Sequence, residues 1–308
     1  MKEFFLNFLR KILPQPVKQA LRFSLNLPAA AKRFFLRQPK VSRRFQRILS
    51  GKPVNILFYP DHPCRMPWDY TIIRLCRELG LNMNPSEDGV IDLCINWQDR
   101  TFGQYDDRLN RLAQKNRMLN YNCRDISKNR VDEVFNEVFG YRLMINPSDF
   151  QGPYVEKSNL NGKHDGRIIL SPMIEKVEGK VYQRLIDNRD DENYVVDFRV
   201  PFFDKDIPLV FLKYKSITDR FGMSVKAGLT ESGQIFSSDE VSKIILFCKR
   251  MGFDCGELDI VRDRSDQRIY IVDANNTPTI RFVGYTYQEK RKILRTLARS
   301  FDRAFLNG

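Results

Sequence analysis

The stretch Gly256–Pro278, GELDIVRDRSDQRIYIVDANNTP, carries the clearest structural signal in this chain. Two apolar segments, 258–261 and 269–272, contain β-branched and aromatic residues and lie on either side of a polar run. Such residues favour strands, and the Asp and Ser residues between them favour a turn. The stretch therefore predicts a β-hairpin of two short strands.

The predicted hairpin also collects oxygen-bearing side chains. Glu257 and Asp259 on its first strand would lie near Asp273, Asn275 and Asn276 at the end of its second. Carboxylate and amide oxygens suit a hard cation such as Mg²⁺, which usually takes one or two carboxylates and shares substrate phosphates. The simpler alternative is a surface hairpin with solvated acids. Because the acids flank apolar strands on both sides, we prefer the metal site.

At these residues the sequence resembles the ATP-grasp family. In that family, an acidic residue on one strand and a D/E-x-N on the next hold magnesium against the phosphates of the nucleotide. Asp259 matches the first position, Asp273 and Asn275 match the second, and Thr277-Pro278 is the usual continuation. The resemblance implies ATP and Mg²⁺ (or Mn²⁺) as cofactors, with these three residues as metal ligands.

A helix is predicted within Asn120–Tyr141, capped by Asp125 or Ser127 and ending at Gly140. Lys128 falls in its first turn, where a positive charge is unfavourable for the helix dipole. The resemblance offers a reason, because ATP-grasp proteins often carry a basic residue here that reaches the phosphates. A solvated lysine is the equal alternative.

The segment Pro153–Leu170 predicts a strand, a polar loop and a second strand. Lys157 closes the first strand, and Gly162 and Gly166 lie in the loop. The resemblance implies that Lys157 meets the α- or β-phosphate while backbone N–H groups of the loop cover the phosphates. This loop departs from the usual pattern, with Lys163, His164 and Asp165 in place of small residues. His164 is a possible base, although exposure in the loop explains it more simply.

Two further strands complete the resemblance. In the family, a strand ending in E/Q-x-h-I meets the edge of adenine through its backbone, and the matching residues are Gln183, Arg184, Leu185 and Ile186. Asp197 to Val200 resembles the D-x-R-V strand of amide-forming ligases, in which Arg199 would face the transferred phosphate.

Charged residues at spacing two point to one face of a strand, so Asp197 and Arg199 are expected in a cleft or in a salt bridge. Lys213 and Lys215 repeat this spacing on the next predicted strand, 209–215, and either one could face the γ-phosphate. Arg199 and Lys215 are our candidate catalytic residues.

The predicted fold class is α/β: a two-lobed ATP-grasp domain preceded by a small Rossmann-like βαβ domain. The latter occupies 51–119, with strands at 54–59 and 91–97 around a helix at 69–79. The ATP-grasp domain occupies 120–308, divided into a nucleotide lobe, 120–215, and a metal-binding lobe, 216–308. Two amphipathic helices are predicted in the second lobe, one at 237–251 with a capping box and one through 293–305.

The loop Pro60–Pro67 follows the first predicted strand, and loops at the carboxyl ends of such strands often bind ligands. Its Asp61, His62 and Arg65 either touch the acceptor substrate or serve the turns around the prolines. Arg281, beyond the hairpin, could hold a carboxylate.

Charge is concentrated at the start of the 308-residue chain. Residues 1–50 hold twelve Lys and Arg residues and one acid, so they account for almost all of the net charge of +13. The remaining residues are nearly neutral, and nucleic-acid binding is therefore not expected. The basic segment is too charged for a membrane span and lacks a clean secretory signal. It predicts either an amphipathic helix on an anionic membrane surface or a helix docked on the body or a partner.

The six cysteines form no CxxC and accompany only two histidines, which favours reduced thiols in an intracellular protein. The expected location is cytoplasmic, with a peripheral position at the inner face of the membrane as the open alternative. The chain contains no GxxxxGK[ST] motif, so a P-loop enzyme is not supported.

The resemblance implies ATP-dependent ligation, in which a small-molecule carboxylate is activated as an acylphosphate and joined to an amine or similar nucleophile. Two alternatives stay open at this point. One is a kinase built on the same fold, and the other is a nucleotide-binding, membrane-associated protein without turnover.

Overall fold

The computed structural model describes residues 54–60, 70–83, 85–170, 176–279, 282 and 284–307. Strands and helices are mixed along this part of the chain, and the strands form three sheets. The predicted α/β class is confirmed. The basic segment 1–50, the three polar residues of the 60–67 loop and Arg281 lie outside the described residues.

The first sheet is parallel, with strand order β1-β2-β3. Its strands are β1 (Ile56–Tyr59), β2 (Leu93–Asn96) and β3 (Met118–Leu119). The connections contain α1 (Thr71–Leu79) and α2 (Asp107–Lys115). Every residue of β1 and β2 is buried, as expected for a parallel sheet covered on both faces. The predicted elements are confirmed with shorter bounds, whereas α2 was not predicted.

Helix α3 (Lys128–Phe139) follows the first sheet. Ser127 is its N-cap, because the Ser127 hydroxyl accepts the backbone N–H of Arg130. The carboxylate of Asp125 instead accepts the N–H of Ser127, so it supports the cap residue and does not cap the helix itself. Gly140 ends the helix in the left-handed conformation, with φ +80°, as predicted.

A small antiparallel sheet follows, with strand order β5-β4-β6. It consists of β4 (Tyr154–Ser158), β5 (Arg167–Ile169) and β6 (Lys180–Arg184). The first two strands and their polar loop confirm the predicted strand, loop and strand.

The central sheet is antiparallel throughout, with strand order β11-β10-β7-β8-β9. Its strands are β7 (Tyr194–Phe203), β8 (Val210–Ser216), β9 (Lys226–Thr230), β10 (Cys255–Arg262) and β11 (Ile269–Asn275). The lobe boundary predicted after residue 215 falls at the end of β8, so strands from both predicted lobes share this sheet. The domain division itself stays a prediction.

The decisive hairpin is formed by β10 and β11, as predicted. Glu257 lies opposite Asn275, and Asp259 lies opposite Asp273. The register shifts between Asp259 and the next residue, where the pairing becomes irregular. The two acids and the D-x-N residues are therefore neighbours across one strand pair.

Two helices cover the central sheet from different sides. Helix α4 (Ser232–Ile235) leads into α5 (Ser238–Arg250), whose predicted capping box between Ser237 and Glu240 is present. The buried residues of α5 join a core that also contains residues from α3 and the hairpin. The C-terminal helix α6 (Tyr287–Phe305) joins a second core, shared with the first sheet and with β7 and β8.

The cysteines in the described part of the chain are free and buried. Across the same residues, no helix is both long and apolar enough to cross a membrane.

Candidate functional site

A cavity of about 1430 Å³ lies where the three sheets approach one another. Its walls come from the small sheet and its loop, from the central sheet, and from residues 99–102 after β2. All eleven site residues predicted from sequence line it: Lys128, Lys157, Gln183, Arg184, Leu185, Ile186, Arg199, Lys215, Asp259, Asp273 and Asn275. The fold thus gathers residues that are up to 147 positions apart in sequence around one space.

The pairing of the central sheet explains this convergence. Asp273 on β11 lies opposite Asp259 on β10, which lies opposite Arg199 on β7. Asp197 on β7 lies opposite Lys213 on β8. Directly opposite residues of antiparallel strands share a face of the sheet. These charged side chains therefore form one cluster on the floor of the cavity, and we call it the field of charges.

Asp259 lies at the centre of this field and is surrounded by cations. The Arg199 guanidinium donates two hydrogen bonds to it, from Nε to Oδ1 at 3.0 Å and from Nη2 to Oδ2 at 3.2 Å. Lys213 Nζ lies 3.3 and 3.2 Å from the two oxygens. Burial alone would raise the pKa of Asp259, but Arg199 and Lys213 hold it well below its usual range.

Glu257 stands behind this pair, fully inside the protein. Its Oε1 lies 3.0 Å from Arg199 Nε, and its Oε2 has no hydrogen-bond partner among the described residues. Burial raises the pKa of Glu257 to about 7, although Arg199 opposes the shift. Burial would lower the pKa of Arg199, but Asp259 and Glu257 together raise it. Arg199 is therefore a fixed cation.

A second ion pair lies beside the first on the same face. Lys215 Nζ is 2.6 Å from Asp197 Oδ2, and Asn188 Nδ2 donates to Asp197 Oδ1 at 3.1 Å. Arg220 Nη2 donates to Asn188 Oδ1 at 2.8 Å and to the carbonyl of Ile186 at 2.9 Å. The predicted cleft and salt bridge for the D-x-R pair are thus both present. Asn188 and Arg220 were not predicted, because they lie in irregular segments without a periodic pattern.

The two lysines predicted at phosphate positions come together near Asp273. Lys128 is the first residue of α3 and is buried; its Nζ donates to the carbonyl of Leu160 at 3.0 Å and lies 3.7 Å from Asp273 Oδ1. Lys157 Nζ donates to the carbonyl of Val272 at 3.1 Å. Burial lowers the pKa of Lys157 to about 8, against the attraction of Asp273. Lys128 is therefore not a solvated lysine.

The loop after β4 is tied to three elements. Asn159 accepts the N–H of Lys128 through its carbonyl at 3.1 Å. The N–H of Asn161 donates to Thr101 Oγ1 at 2.9 Å, and Asn161 Nδ2 donates to the carbonyl of Ala274 at 3.4 Å. A side chain at Gly166 would come within 2.9 Å of the Phe221 ring, so only glycine fits there without a shift. These contacts hold the loop over the cavity.

One end of the cavity is apolar. Leu143, Val155, Val261 and Val272 line it together with the strand end 183–186. The guanidinium of Arg184 is directed to Tyr270, with Nη1 donating to Tyr270 Oη at 3.1 Å. Apolar lining residues next to a cluster of cations have the chemistry that a nucleotide base and its phosphates require.

The oxygen atoms near β11 fit a hard cation. Asp273 Oδ1 is buried and accepts no hydrogen bond from the described residues. Asn275 Oδ1 accepts the N–H of Thr277 at 2.8 Å, which fixes its amide oxygen. Within the described ranges, no cluster of three or more His, Cys, Asp or Glu side chains is arranged around a common metal position. Asp259, Asp273 and Asn275 thus offer a partial shell of the kind that Mg²⁺ completes with phosphates and water.

Comparisons with known proteins place this geometry in context. No protein-family model matches the chain, and no curated protein matches it. Solved structures do match. The ATP-grasp ligase PsnB, complexed with a phosphomimetic variant of its minimal precursor, Mg and ADP, superposes with a TM-score of 0.52 at 11% identity, covering 82% of this chain and 99% of that chain.

A second match is the D-cycloserine synthetase DcsG, with a TM-score of 0.51 at 13% identity. It covers 80% of this chain and 99% of that chain. At such low identity the likeness concerns the fold, and both proteins share it over nearly their whole length. The chain described here therefore has the ATP-grasp fold.

Proposed function

We propose that this protein is an ATP- and Mg²⁺-dependent ligase that activates a carboxylate as an acylphosphate and joins it to an amine or similar nucleophile. The observation that carries the proposal is the field of charges on the cavity floor. Arg199 and Lys213 surround one carboxylate while Lys128 and Lys157 flank another, beside apolar lining residues in an ATP-grasp fold.

The nucleotide would lie along the length of the cavity. Its base would occupy the apolar end, against the backbone of Gln183, Arg184, Leu185 and Ile186. Its phosphates would extend towards Lys128 and Lys157, which already point at the same edge of β11. The loop 159–166 would cover the phosphates with backbone N–H groups.

The divalent cation would be held by Asp259, Asp273 and Asn275. When bound, it would neutralise phosphoryl oxygens and hold them in line for transfer. The buried Oδ1 of Asp273 supports this placement, because it accepts no hydrogen bond from the described residues and its ion pair with Lys128 is long, at 3.7 Å, so an added cation would satisfy it.

The chain's own cations would serve the transfer. A substrate carboxylate oxygen attacks the γ-phosphorus, the bond to the β,γ-bridging oxygen breaks, and ADP leaves. An amine then attacks the acyl carbon, and inorganic phosphate leaves. Arg199 and Lys215 are our candidates for stabilising the charge on the transferred group, and the placement of Lys213 against Asp259 adds a third.

The substrate carboxylate would belong to a small molecule or to a peptide. PsnB has been captured with a precursor peptide, and DcsG is a synthetase of a small molecule. Both kinds of ligand suit a cavity of this size.

The proposal is tested by measuring ADP release from ATP with panels of carboxylates and short acidic peptides, each with and without hydroxylamine. Ligase chemistry predicts that release depends on the carboxylate and that hydroxylamine traps a hydroxamate, because it intercepts the acylphosphate. A stable phospho-product without any hydroxamate would instead assign a kinase. Absence of ADP release, together with absence of ATP binding, would overturn the proposal.

A further inference from the structure

The turn after β11 is fastened to the segment that follows β2 by a carboxylate that no sequence pattern singled out. Thr277 Oγ1 lies 3.0 Å from Asp99 Oδ1, and Tyr70 Oη donates to Asp99 Oδ2 at 2.8 Å. The N–H of Thr71 donates to the carbonyl of Pro278 at 3.0 Å. Asp99 also lines the cavity, so this junction borders the site itself.

The hydroxyl of Thr277 has two possible acceptors and a single proton. It lies 3.0 Å from Asp99 Oδ1 and 3.3 Å from Asn275 Oδ1. A carboxylate is the stronger acceptor, and here it is also the closer one. The proton therefore goes to Asp99, and Thr277 is too deeply buried for water to take its place.

This choice of acceptor decides whether a lone pair of the Asn275 amide oxygen is left to bind a cation. Its amide oxygen has two lone pairs, and the N–H of Thr277 occupies one of them at 2.8 Å. If the Thr277 hydroxyl also donated there, both would be engaged. Because Asp99 takes the hydroxyl proton, one lone pair of Asn275 stays free on the side of the cavity.

We propose that Asp99 is a positioning residue that directs the Thr277 hydroxyl proton away from Asn275 and thereby keeps the Asn275 oxygen open to the divalent cation. The inference rests on the proposed function, because it takes Asn275 as a cation ligand. It assigns to the segment after β2 a part in cation binding, through a hydrogen bond that spans 178 positions in sequence.

The test is Mn²⁺ binding to the full-length protein in the presence of ATP, followed by the electron paramagnetic resonance signal of free Mn²⁺. Asp99→Ala is expected to weaken Mn²⁺ binding about tenfold, the usual scale for groups that orient a metal ligand. Adding Thr277→Val to this variant removes the misdirected hydroxyl, so the double variant is expected to recover most of the lost affinity. A merely structural role for Asp99 predicts the reverse, because the second substitution would add further damage.

Asp106→Ala is the matched control. Asp106 also accepts a tyrosine hydroxyl, from Tyr59 at 2.7 Å, and caps α2, but it makes no contact with the turn after β11. Its loss is expected to lower stability and leave Mn²⁺ affinity unchanged. If Asp99→Ala does not fold, Asp99→Asn replaces it, with a smaller loss in the same direction, since a carboxamide oxygen is a weaker acceptor.

The outcomes separate the two proposals. Absence of ATP-dependent Mn²⁺ binding in the wild-type protein would contradict the proposed function. Wild-type binding that Asp99→Ala leaves unchanged, or that Thr277→Val fails to restore in the double variant, would overturn the role of Asp99 while the proposed function stands.

Discussion

Asp259 and Asp273 face each other across the hairpin, yet their surroundings differ. Asp259 contacts Arg199 and Lys213 within 3.3 Å, and its side chain is 20% exposed. Asp273 is 31% exposed, its nearest cation is Lys128 at 3.7 Å, and its Oδ1 accepts no hydrogen bond from the described part of the chain. The protein itself binds the first carboxylate with two close cations, whereas the second has only a long ion pair with Lys128 and can accept an added cation. Asp259 should therefore contribute to folding as well as to function, and Asp273 mainly to function.

The largest effect is expected from Asp273→Asn. The substitution keeps the shape of the side chain but removes the charge that would hold the cation, so ATP-dependent ADP release should fall more than about 100-fold. The free energy of unfolding should change by less than about 1 kcal/mol, since the ion pair lost, with Lys128 at 3.7 Å, is long and Asp273 is partly exposed. Turnover assays and urea unfolding measure the two quantities, and normal ADP release in this variant would refute the metal assignment.

Asp259→Asn should reverse this pattern by destabilising the fold. It would leave Arg199 and Lys213 with insufficient negative charge, at a cost of about 4 kcal/mol in the free energy of unfolding. Because the pKa of Asp259 is depressed, this contribution is present above the unfolded value near pH 4 and is lost only as the pH falls further. Urea unfolding at pH 5, where Asp259 is ionised in the folded and unfolded states and Glu257 is protonated in the folded wild-type protein, should show this difference.

The control for this prediction is Asp239→Asn, which breaks an exposed i,i+4 pair with Lys243 on α5. The expected cost is below about 0.5 kcal/mol. An equal cost for the two substitutions would show that the ion pairs of Asp259 stabilise the fold no more than an exposed surface pair does.

Glu257→Gln extends the comparison to the buried carboxylate that lies behind Asp259. Because burial raises the pKa of Glu257 to about 7, its protonation favours the folded state, and the associated stability is lost as the pH rises from about 4.5 through 7. Between pH 4 and pH 8 the wild-type protein should lose about 3 kcal/mol of stability that the variant keeps. Parallel stability profiles of the two proteins would contradict this expectation.

The smallest expected effect belongs to Lys128→Met, which removes the cation nearest to Asp273. It should weaken ATP binding about tenfold, the scale of one charge-assisted hydrogen bond to a phosphate. Lys249→Met, on the exposed face of α5, is the matched control and should leave ATP affinity unchanged. Equal affinities of the two variants would argue against contact between Lys128 and phosphate.

The contrast between the two carboxylates also shows how far the sequence could lead. The hairpin and its facing acids were predictable, because apolar segments of strand length bracket a turn and carry acids at matching positions. The cation that pairs with each acid could not be predicted. Lys213 and Lys215 share a face by their spacing, but Lys213, which lies directly opposite Asp197 in the register, forms its ion pair with Asp259, and Lys215 forms its ion pair with Asp197.

Contacts between segments that are distant in sequence could not be predicted from sequence patterns. Arg220 and Asn188 occur in irregular segments, and Asp99 follows a short strand without any motif. Helix α2 was missed because only Leu109 and Leu112 are buried in an otherwise polar stretch, which gives a weak periodic signal. Such residues acquire a role only when tertiary packing brings them to the hairpin.

The central claim is that Asp273, the carboxylate of the hairpin without a close ion pair, binds a divalent cation together with ATP. Calorimetric titration of the full-length protein with ATP, with and without Mg²⁺, tests it most directly beside Asp273→Asn. We predict micromolar binding that requires Mg²⁺ in the wild-type protein and loses that requirement, together with most of its affinity, in the variant. Equal, Mg²⁺-independent binding by both folded proteins, or no binding by either, would contradict the claim.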